Sequence, residues 1–433
     1  MTVVADRRTD LGFVIPVAVF AMTLRVPGGF ILLGVTGAIL ILRRGVRFRR
    51  TGLLGAYAVC ALTSTLAATI DADHNVSSYV WPALCYGLFA AAVLLTGDVA
   101  DNMRGLSRGL IAALTCALGL AIAEIATGFR LMALGREANQ NLQLALNEGR
   151  FRTGSVFTNY NDLSVALTVL VVLLAGAALF APRDSTMVKA SRLVIIVVAS
   201  GLVVVMGSRG SLAGLLLGLG TLVLLASRAA RPDRLTNGRL GAVVASSLVV
   251  VVLIWNSPYV QDNSTAIRER ILDNAVHLMD LDPMTWVLGF SSVDRYDGIA
   301  ASFFAETLMN PHNLVLELLL GYGLPGVLAA TLAWCVLVAR GVSVTKPRDW
   351  QLPAYTAAAV MLPVIGTVPS STLPYGFPQL LTLGLAAALA SAEGLGAAAP
   401  GPESVDHDND ADPHDGTSDQ SEHPRLDDRA GHP

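Results

Sequence analysis

The sequence has little charge, few aromatic residues and few cysteines. Of its 433 residues, 15% are charged, 6% are aromatic and only four are cysteine. Water-soluble chains carry about 25% charged residues, so this composition excludes a soluble globular protein. No disulfide framework or cysteine metal site is expected, because all four cysteines lie in apolar stretches without metal-ligand spacing: Cys60, Cys85, Cys116 and Cys335. Hydrophobic residues make up 53% of the chain, which indicates that much of it is surrounded by lipid.

Long apolar blocks, by contrast, are abundant in residues 1–396. Because a membrane-spanning helix needs about 20 predominantly apolar residues, these blocks predict an all-α integral membrane protein with about 12 transmembrane helices. The predicted spans are 11–25, 27–42, 52–70, 79–96, 109–127, 162–181, 193–207, 210–226, 240–255, 312–339, 351–368 and 377–393.

Segments rich in Lys and Arg alternate along the chain with segments that contain few, so the basic residues concentrate on one side of the membrane. If both termini are cytoplasmic, 21 of the 30 Lys and Arg residues lie in cytoplasmic segments and nine lie outside. The cytoplasmic loops are short enough for the positive-inside rule to apply. We therefore expect a multi-pass protein with both termini in the cytoplasm, and an odd number of spans would break this alternation.

Three segments lie outside the spans and are long. External loops are predicted at about 128–161 and, between spans nine and ten, at about 256–311. The larger loop contains helix-like and aromatic stretches, which predict a folded cap with amphipathic helices at the membrane surface. Residues 397–433 are polar and acidic, and they predict a disordered cytoplasmic tail. Four histidines of this tail allow either weak binding of a divalent metal or plain solvation: His407, His414, His423 and His432.

Two external arginines indicate a site for an anion, because the positive-inside rule depletes arginine there. Arg152 lies in the loop 128–161, and Arg209 lies between two apolar spans. The guanidinium group matches phosphate oxygens in a bidentate way and keeps its charge at physiological pH. A charge near membrane depth is costly unless it faces water, a partner or a ligand. The alternatives are ordinary loop solvation or pairing with nearby acids such as Glu137 and Glu148 for Arg152, and a snorkelling structural role for Arg209.

Polar residues precede a predicted helix whose N-terminus faces outward. The stretch FRTGSVFTNYNDLS, residues 151–164, contains Asn159 and Asn161 directly before an apolar run. Helix N-termini attract anions, and asparagine or aspartate can cap them. These residues are therefore either part of an anion site or simply a good helix cap.

A third polar group lies at the outer end of the tenth predicted span. The stretch MNPHNLVLELLLGYGLPG, residues 309–326, contains His312, Asn313 and Glu317. Asn313 and Glu317 are four residues apart and share a helix face. Together with Glu124 and Asp162, Glu317 puts acidic groups near the outer ends of several spans, where they could converge on one cavity. A lone histidine is more often structural, but this combination at a membrane rim favours function.

The order and sidedness of these motifs resemble the O-antigen ligase and polymerase family. That family comprises bacterial multi-spanning glycosyltransferases, with a GT-C-like polytopic fold of about a dozen helices and a large external loop. The first 150 residues are only weakly similar, which leaves the substrate open. The motifs that carry the resemblance are Arg152–Gly154 with Asn159–Asn161, Ser208–Arg209–Gly210, Pro311–His312–Asn313, and then Glu317 and Gly321–Gly323.

The resemblance implies an enzyme of the bacterial cytoplasmic (inner) membrane that ligates or polymerises a polyprenyl-pyrophosphate-linked glycan at the outer face. The acceptor is a glycan, a lipid or a protein. Arg209 and His312 are the expected catalytic residues, with His312 either taking the acceptor proton or holding the pyrophosphate. The expected substrate-binding residues are Arg152, Asn159, Asn161, Asn313 and Glu317.

Metal ions, cofactors and nucleic acid have no predicted role. Asp280 and Asp282 have the spacing of a DxD metal motif, but a proline follows directly and no further acidic cluster lies nearby. We therefore expect metal-independent transfer. The alternative functions are a twelve-span transporter or a flippase for a lipid-linked or anionic substrate. A transporter would show two related halves with its polar groups near the bilayer midplane.

Overall fold

The computed structural model describes residues 11–46, 52–70, 77–128, 153–157, 159–181, 184–231, 263–291, 293–304, 311, 313–368, 373 and 376–396. A short 3-10 helix, Leu11–Phe13, precedes the first α-helix. The α-helices, in chain order, are α1 (Val14–Thr23), α2 (Gly29–Arg44), α3 (Gly52–Ile70), α4 (Ser77–Leu95), α5 (Val99–Thr127), α6 (Tyr160–Phe180), α7 (Thr186–Met206), α8 (Arg209–Ala230), α9 (Asn263–Leu281), α10 (Pro283–Leu288), α11 (Val293–Phe303), α12 (Leu314–Ser343), α13 (Gln351–Ile365) and α14 (Phe377–Gly396).

Helices occupy eleven of the twelve predicted spans, and the remaining one, 240–255, lies outside the described residues. In the part of the chain that the structure describes, six helices are long and apolar enough to cross a membrane by length and composition: α3, α5, α6, α7, α8 and α12. The prediction of an α-helical membrane protein is thus confirmed, while the number twelve stays a prediction. The tail 397–433 and most of the loop 128–161 also lie outside the described residues.

The centre of the bundle is α6, which packs against α7, α8 and α13. Glycines let these helices approach closely. A Cβ on Gly176 would lie 2.5 Å from the Cβ of Ala354 in α13, and one on Gly214 would lie 2.2 Å from Ile365. Gly218 of α8 is equally crowded by Val172 of α6. This is the small-residue packing expected between helices in lipid, where no hydrophobic driving force operates between them.

The outward surface of the bundle is apolar. On α7, the side chains of Leu193, Val194 and Val197 are each 61% exposed. Water-soluble proteins rarely expose such a continuous apolar face, so this surface fits contact with lipid tails. The helix α7 has few buried residues and lies at the periphery, in contrast to α6, which is buried along most of its length.

Helices α9, α10 and α11 form a small unit, called here the cap, within the segment predicted as the larger external loop. The cap has its own apolar core around Tyr296 and packs on the first part of α12. The contact is closest where Gly289 meets Gly323: a Cβ on Gly323 would lie 2.1 Å from the carbonyl oxygen of Val287. Gly323 has φ +65°, which interrupts the helical geometry of α12 and favours glycine.

The two ends of the bundle differ in charge. One end, called here the carboxylate end, carries the buried acids Glu124, Asp162 and Glu317. The opposite end, called the basic end, carries the buried Arg228 near the end of α8 and also Arg44, whose Nη1 donates to Asn102 Oδ1 at 2.7 Å. The predicted site residues that the structure describes lie at the carboxylate end.

Candidate functional site at the carboxylate end

Three acidic side chains are buried at the carboxylate end. The exposed fractions are 0% for Glu124, 1% for Asp162 and 0% for Glu317. Taking a carboxylate out of water is expensive unless hydrogen-bond donors or positive charge replace the water. The hydrogen-bond donors to these acids therefore show which segments of the chain are fixed at this end of the bundle.

Glu124, in the last turn of α5, binds the segment 153–157. Its Oε2 accepts hydrogen bonds from Thr153 Oγ1 at 2.5 Å and from the backbone N–H of Ser155 at 3.0 Å. Ser155 has φ +50°, a conformation that serine rarely adopts, and its hydroxyl donates to the carbonyl of Ala117 at 2.9 Å. These contacts fix the chain directly before the N-terminus of α6.

Asn159 caps the N-terminus of α6. Its Oδ1 accepts from the backbone N–H of Asn161 at 2.9 Å and from that of Asp162 at 3.1 Å. Asn161 is half-buried in the first turn, and its carbonyl accepts from the hydroxyl of Ser164 at 2.7 Å. Of the two roles left open for Asn159, the structure thus shows the capping role.

Arg209 is the first residue of α8, and it is exposed at the carboxylate end. The residues around it are fixed by buried hydroxyl groups. Ser208 Oγ donates to Ser211 Oγ at 3.0 Å, and Ser211 Oγ lies 2.6 Å from Ser164 Oγ in α6. These serines join the N-termini of α6 and α8 directly below the guanidinium-bearing residue.

Asn313 caps α12 in the same way as Asn159 caps α6. Its Oδ1 accepts from the backbone N–H of Val315 at 2.9 Å and from that of Leu316 at 3.3 Å. One turn further on, Glu317 Oε2 accepts from the backbone N–H of Leu373 at 2.7 Å. The Glu317 carboxylate therefore binds the chain between α13 and α14.

Three helix N-termini, those of α6, α8 and α12, lie at this one end. Gly366, after α13, connects α12 to the others: its carbonyl accepts from Leu314 N at 3.0 Å, and its neighbour Ile365 contacts α8 at Gly214. Each helix N-terminus carries a partial positive charge and attracts anions. Arg209 adds a fixed positive charge to this rim, where the C-termini of α5, α7 and α13 also lie with the opposite partial charge.

The structure brings together five of the seven predicted site residues. Arg209, Asn159, Asn161, Asn313 and Glu317 all lie at the carboxylate end, whereas Arg152 and His312 lie outside the described residues. Within the described ranges, no group of three or more His, Cys, Asp or Glu residues is placed to hold a metal ion.

Sequence reasoning missed two parts of this end. The contact from Glu124 to Thr153 and Ser155 spans about thirty residues of chain, and no periodic pattern encodes it. The hydroxyl cluster of Ser164, Ser208 and Ser211 was missed too. Its one signal was the presence of serines on the apolar blocks of neighbouring spans.

The bundle and its cap define the class: a multi-spanning α-helical membrane protein with a polar site at one end. Residues 194–331 match the family described as O-antigen ligase. The match runs from α7 to the first part of α12 and includes Arg209, Asn313 and Glu317. The predicted resemblance to the O-antigen ligase and polymerase family is thereby confirmed. No curated protein is significantly similar to the chain.

Proposed function

We propose that the protein is a membrane glycosyltransferase that ligates or polymerises a polyprenyl-pyrophosphate-linked glycan on the outer face of the bacterial cytoplasmic membrane. The observation that carries the proposal is the convergence of three helix N-termini with Arg209 at the carboxylate end. A pyrophosphate dianion is the kind of group that such a surface binds. The family match over residues 194–331 supports the same chemistry.

In the proposed reaction, an acceptor hydroxyl attacks the anomeric carbon of the lipid-linked glycan. A new carbon–oxygen bond forms, the bond between the anomeric carbon and the pyrophosphate oxygen breaks, and the polyprenyl pyrophosphate leaves with the bonding electrons. Negative charge therefore grows on the phosphate oxygens in the transition state. Groups that stabilise this charge accelerate the step if they stabilise the transition state more strongly than the ground state.

The residues divide into groups that contact the substrate and groups that position them. Arg209 and Arg152 stabilise the leaving pyrophosphate. His312 accepts the proton of the acceptor hydroxyl or, if protonated, holds the pyrophosphate. Asn161, half-buried at the start of α6, contacts the donor.

Asn159, Asn313 and Glu317, predicted as substrate-binding residues, are assigned a positioning role in this proposal. The two asparagines accept from helix N–H groups, and Glu317 accepts from Leu373. They fix the helix ends against which the substrate lies. Transfer is expected to need no metal ion and no cofactor, because arginines already neutralise the leaving group.

The remaining parts of the proposal concern the membrane. Twelve spans in a GT-C-like arrangement, with both termini cytoplasmic, would put the carboxylate end and the cap outside the cell. The donor would enter from the bilayer, and the acceptor would be a glycan, lipid or protein. The transporter alternative has less support, since the buried acids lie at helix ends and not near the bilayer midplane.

The proposal is tested in cells that lack the natural gene. Arg209→Ala and His312→Ala are each compared with the unsubstituted chain for surface glycan and for accumulated lipid-linked intermediate. The expected result is loss of glycan and a build-up of intermediate, at wild-type membrane expression. Arg340→Ala, an exposed arginine at the basic end, is the matched control and should leave both unchanged. Normal glycan from both site variants would refute the assigned site.

A further inference from the structure

The helix α10 of the cap exposes apolar side chains and contains no charged residue. Met284 and Val287, three residues apart and therefore on one side of the helix, are 51% and 47% exposed, and Leu281, just before α10, is 58% exposed. The helix α9, by contrast, exposes charged side chains such as Glu269 and Asp273. The three exposed apolar residues, called here the apolar tip, are not used by the proposed transfer reaction.

The apolar tip borders an apolar face of α12. The backbone of Val287 contacts α12 at Gly323, and the next residue, Leu324, is exposed. Leu328 and Leu332 follow at intervals of four residues, so they share a helix face with Leu324, and both are exposed as well. Because α12 is long and apolar enough to cross a membrane, this stripe fits contact with lipid tails. The apolar tip extends the stripe onto the cap.

A second membrane span, α3, joins the cap close to the same place. The hydroxyl of Ser64 in α3 donates to the carbonyl of Ser291, three residues after the end of α10. Leu62 and Leu66, on either side of Ser64 in the sequence and four residues apart, are both exposed. The cap is therefore attached to two spans whose free faces are apolar, and its own exposed apolar residues lie beside those faces.

The length of α3 gives the depth of this attachment. Its 19 residues span about 28 Å, close to the hydrocarbon thickness of about 30 Å, so Ile70 at its end lies near the edge of the hydrocarbon. Ser64 lies about 9 Å inside that edge. Cys60 Sγ is 3.8 Å from the Gly326 carbonyl oxygen, whereas Ser64, one turn later, meets the cap where it touches Gly323. The two helices are thus antiparallel, and this edge is at the carboxylate end.

Two exposed carboxylates limit how deep the apolar tip can lie. Asp280 Oδ1 accepts from Trp286 Nε1 at 3.1 Å, and Asp282 Oδ1 accepts from the backbone N–H of Met284 at 3.0 Å. A charge in the middle of a bilayer is costly, so both carboxylates belong at the level of the headgroups. Helices that lie in the interface bury their apolar face by about 5–10 Å, and tryptophan is enriched at the same level.

We propose that the apolar tip is immersed in the bilayer leaflet at the carboxylate end. Leu281, Met284 and Val287 contact the upper part of the acyl chains, while Asp280 and Asp282 stay among the headgroups. Bilayer lipid is the occupant of this surface because the surface continues the exposed faces of α3 and α12 at hydrocarbon depth. The cap is thereby held at a fixed height relative to the headgroups, whether or not the proposed glycan transfer is correct.

The test measures fluorescence quenching in the full chain, reconstituted into phosphatidylcholine vesicles. In a cysteine-free background, bimane is attached at Met284→Cys, at Glu269→Cys as the matched control on the cap, and at Leu328→Cys as a reference in lipid. Met284→Cys is expected to lose fluorescence with lipids brominated near the top of their acyl chains and to be insensitive to aqueous iodide. Glu269→Cys should show the reverse, and Leu328→Cys should respond most to bromine near the terminal methyl group.

Three outcomes would overturn the proposal. Quenching of Met284→Cys by iodide and not by brominated lipid would place the apolar tip in water. Protection from both quenchers would mean that protein covers it. Strongest quenching by bromine near the terminal methyl group would contradict a shallow position. Leu281→Cys, the most exposed of the three positions, repeats the measurement, so that a folding defect in Met284→Cys leaves the proposal open to refutation.

Discussion

The side chains that bind the two ends of α6 and α12 have opposite hydrogen-bonding roles. At the carboxylate end, Asn159 and Asn313 accept hydrogen bonds from the first N–H groups of these helices. At the basic end, arginines donate to the last carbonyls: Arg192 to Ala177 in α6 at 3.5 Å, and Arg228 to Val342 in α12 at 2.6 Å. Each helix thus has an acceptor at its positive pole and a cation at its negative pole.

The two ends also differ in how they hold an arginine. At the basic end, the Arg228 guanidinium is buried against the Val342 and Ser343 carbonyls. At the carboxylate end, Arg209 is exposed at the first position of α8, close to the N-terminus of α6 and directly after the C-terminus of α7. A buried arginine that binds carbonyls stabilises the fold, whereas the exposed Arg209 is the one to which the proposed function assigns the pyrophosphate.

The largest test of this comparison between the two ends is the orientation of the protein in the membrane. In a cysteine-free background, Val26→Cys marks the carboxylate end and Lys346→Cys marks the basic end; both positions are exposed. A membrane-impermeant maleimide is expected to label Val26→Cys in intact cells and Lys346→Cys only after lysis. Labelling in the reverse order would place the proposed site in the cytoplasm.

Removal of the buried Glu124 carboxylate is expected to have the largest effect on stability. Glu124→Ala leaves Thr153 and the N–H of Ser155 without their acceptor, so the free energy of unfolding should fall by about 3 kcal/mol. Thermal unfolding in detergent measures the change. Glu269→Ala, at an exposed position of the cap, is the control and should change stability by less than about 0.5 kcal/mol. Similar midpoints for the two variants would contradict the anchoring role of Glu124.

At the opposite end, Arg228 should matter less for activity than for stability. Arg228→Ala removes both hydrogen bonds to the end of α12 and should destabilise the chain by about 2 kcal/mol. The exposed Arg231, three residues on, offers the matched substitution Arg231→Ala with little expected effect. Turnover per folded molecule should be unchanged in both. A loss of turnover in Arg228→Ala at intact stability would show that the basic end contributes to activity and not only to stability.

The smallest effects are expected at the helix caps. Asn313→Ala and Asn159→Ala should each cost about 1 kcal/mol of stability, because each leaves helix N–H groups without an acceptor. Asn313→Asp keeps an acceptor and adds a charge that the helix dipole favours, so its unfolding midpoint should match or exceed that of the unsubstituted chain. An Asp variant as unstable as the Ala variant would argue against capping.

The helices were predictable from the sequence because a lipid environment demands long apolar segments. The residues at which the helices begin and end were less predictable. The predicted span 109–127 is part of a helix that begins at Val99, since Asp98 caps a polar first turn that hydropathy does not register. The predicted span 210–226 is likewise shorter than α8, which continues to Ala230 and buries Arg228.

At the site, the parts encoded by local motifs could be predicted and the parts made by distant contacts could not. Asn159 and Asn313 precede apolar runs, which is a local capping signal. The anchoring of Ser155 by Glu124 and the approach of Val287 to Gly323 depend on how helices pack in three dimensions. Sequence periodicity carries no information about such contacts.

The central claim is that the carboxylate end stabilises a leaving pyrophosphate through Arg209. The most direct measurement is the rate of glycan transfer by the purified chain from a polyprenyl-pyrophosphate-linked donor, with Arg209→Ala compared with Arg340→Ala. Loss of one preorganised group at a developing charge should lower the rate about a hundredfold or more in Arg209→Ala, while Arg340→Ala should transfer at the unsubstituted rate. Equal rates for the two variants would contradict the account.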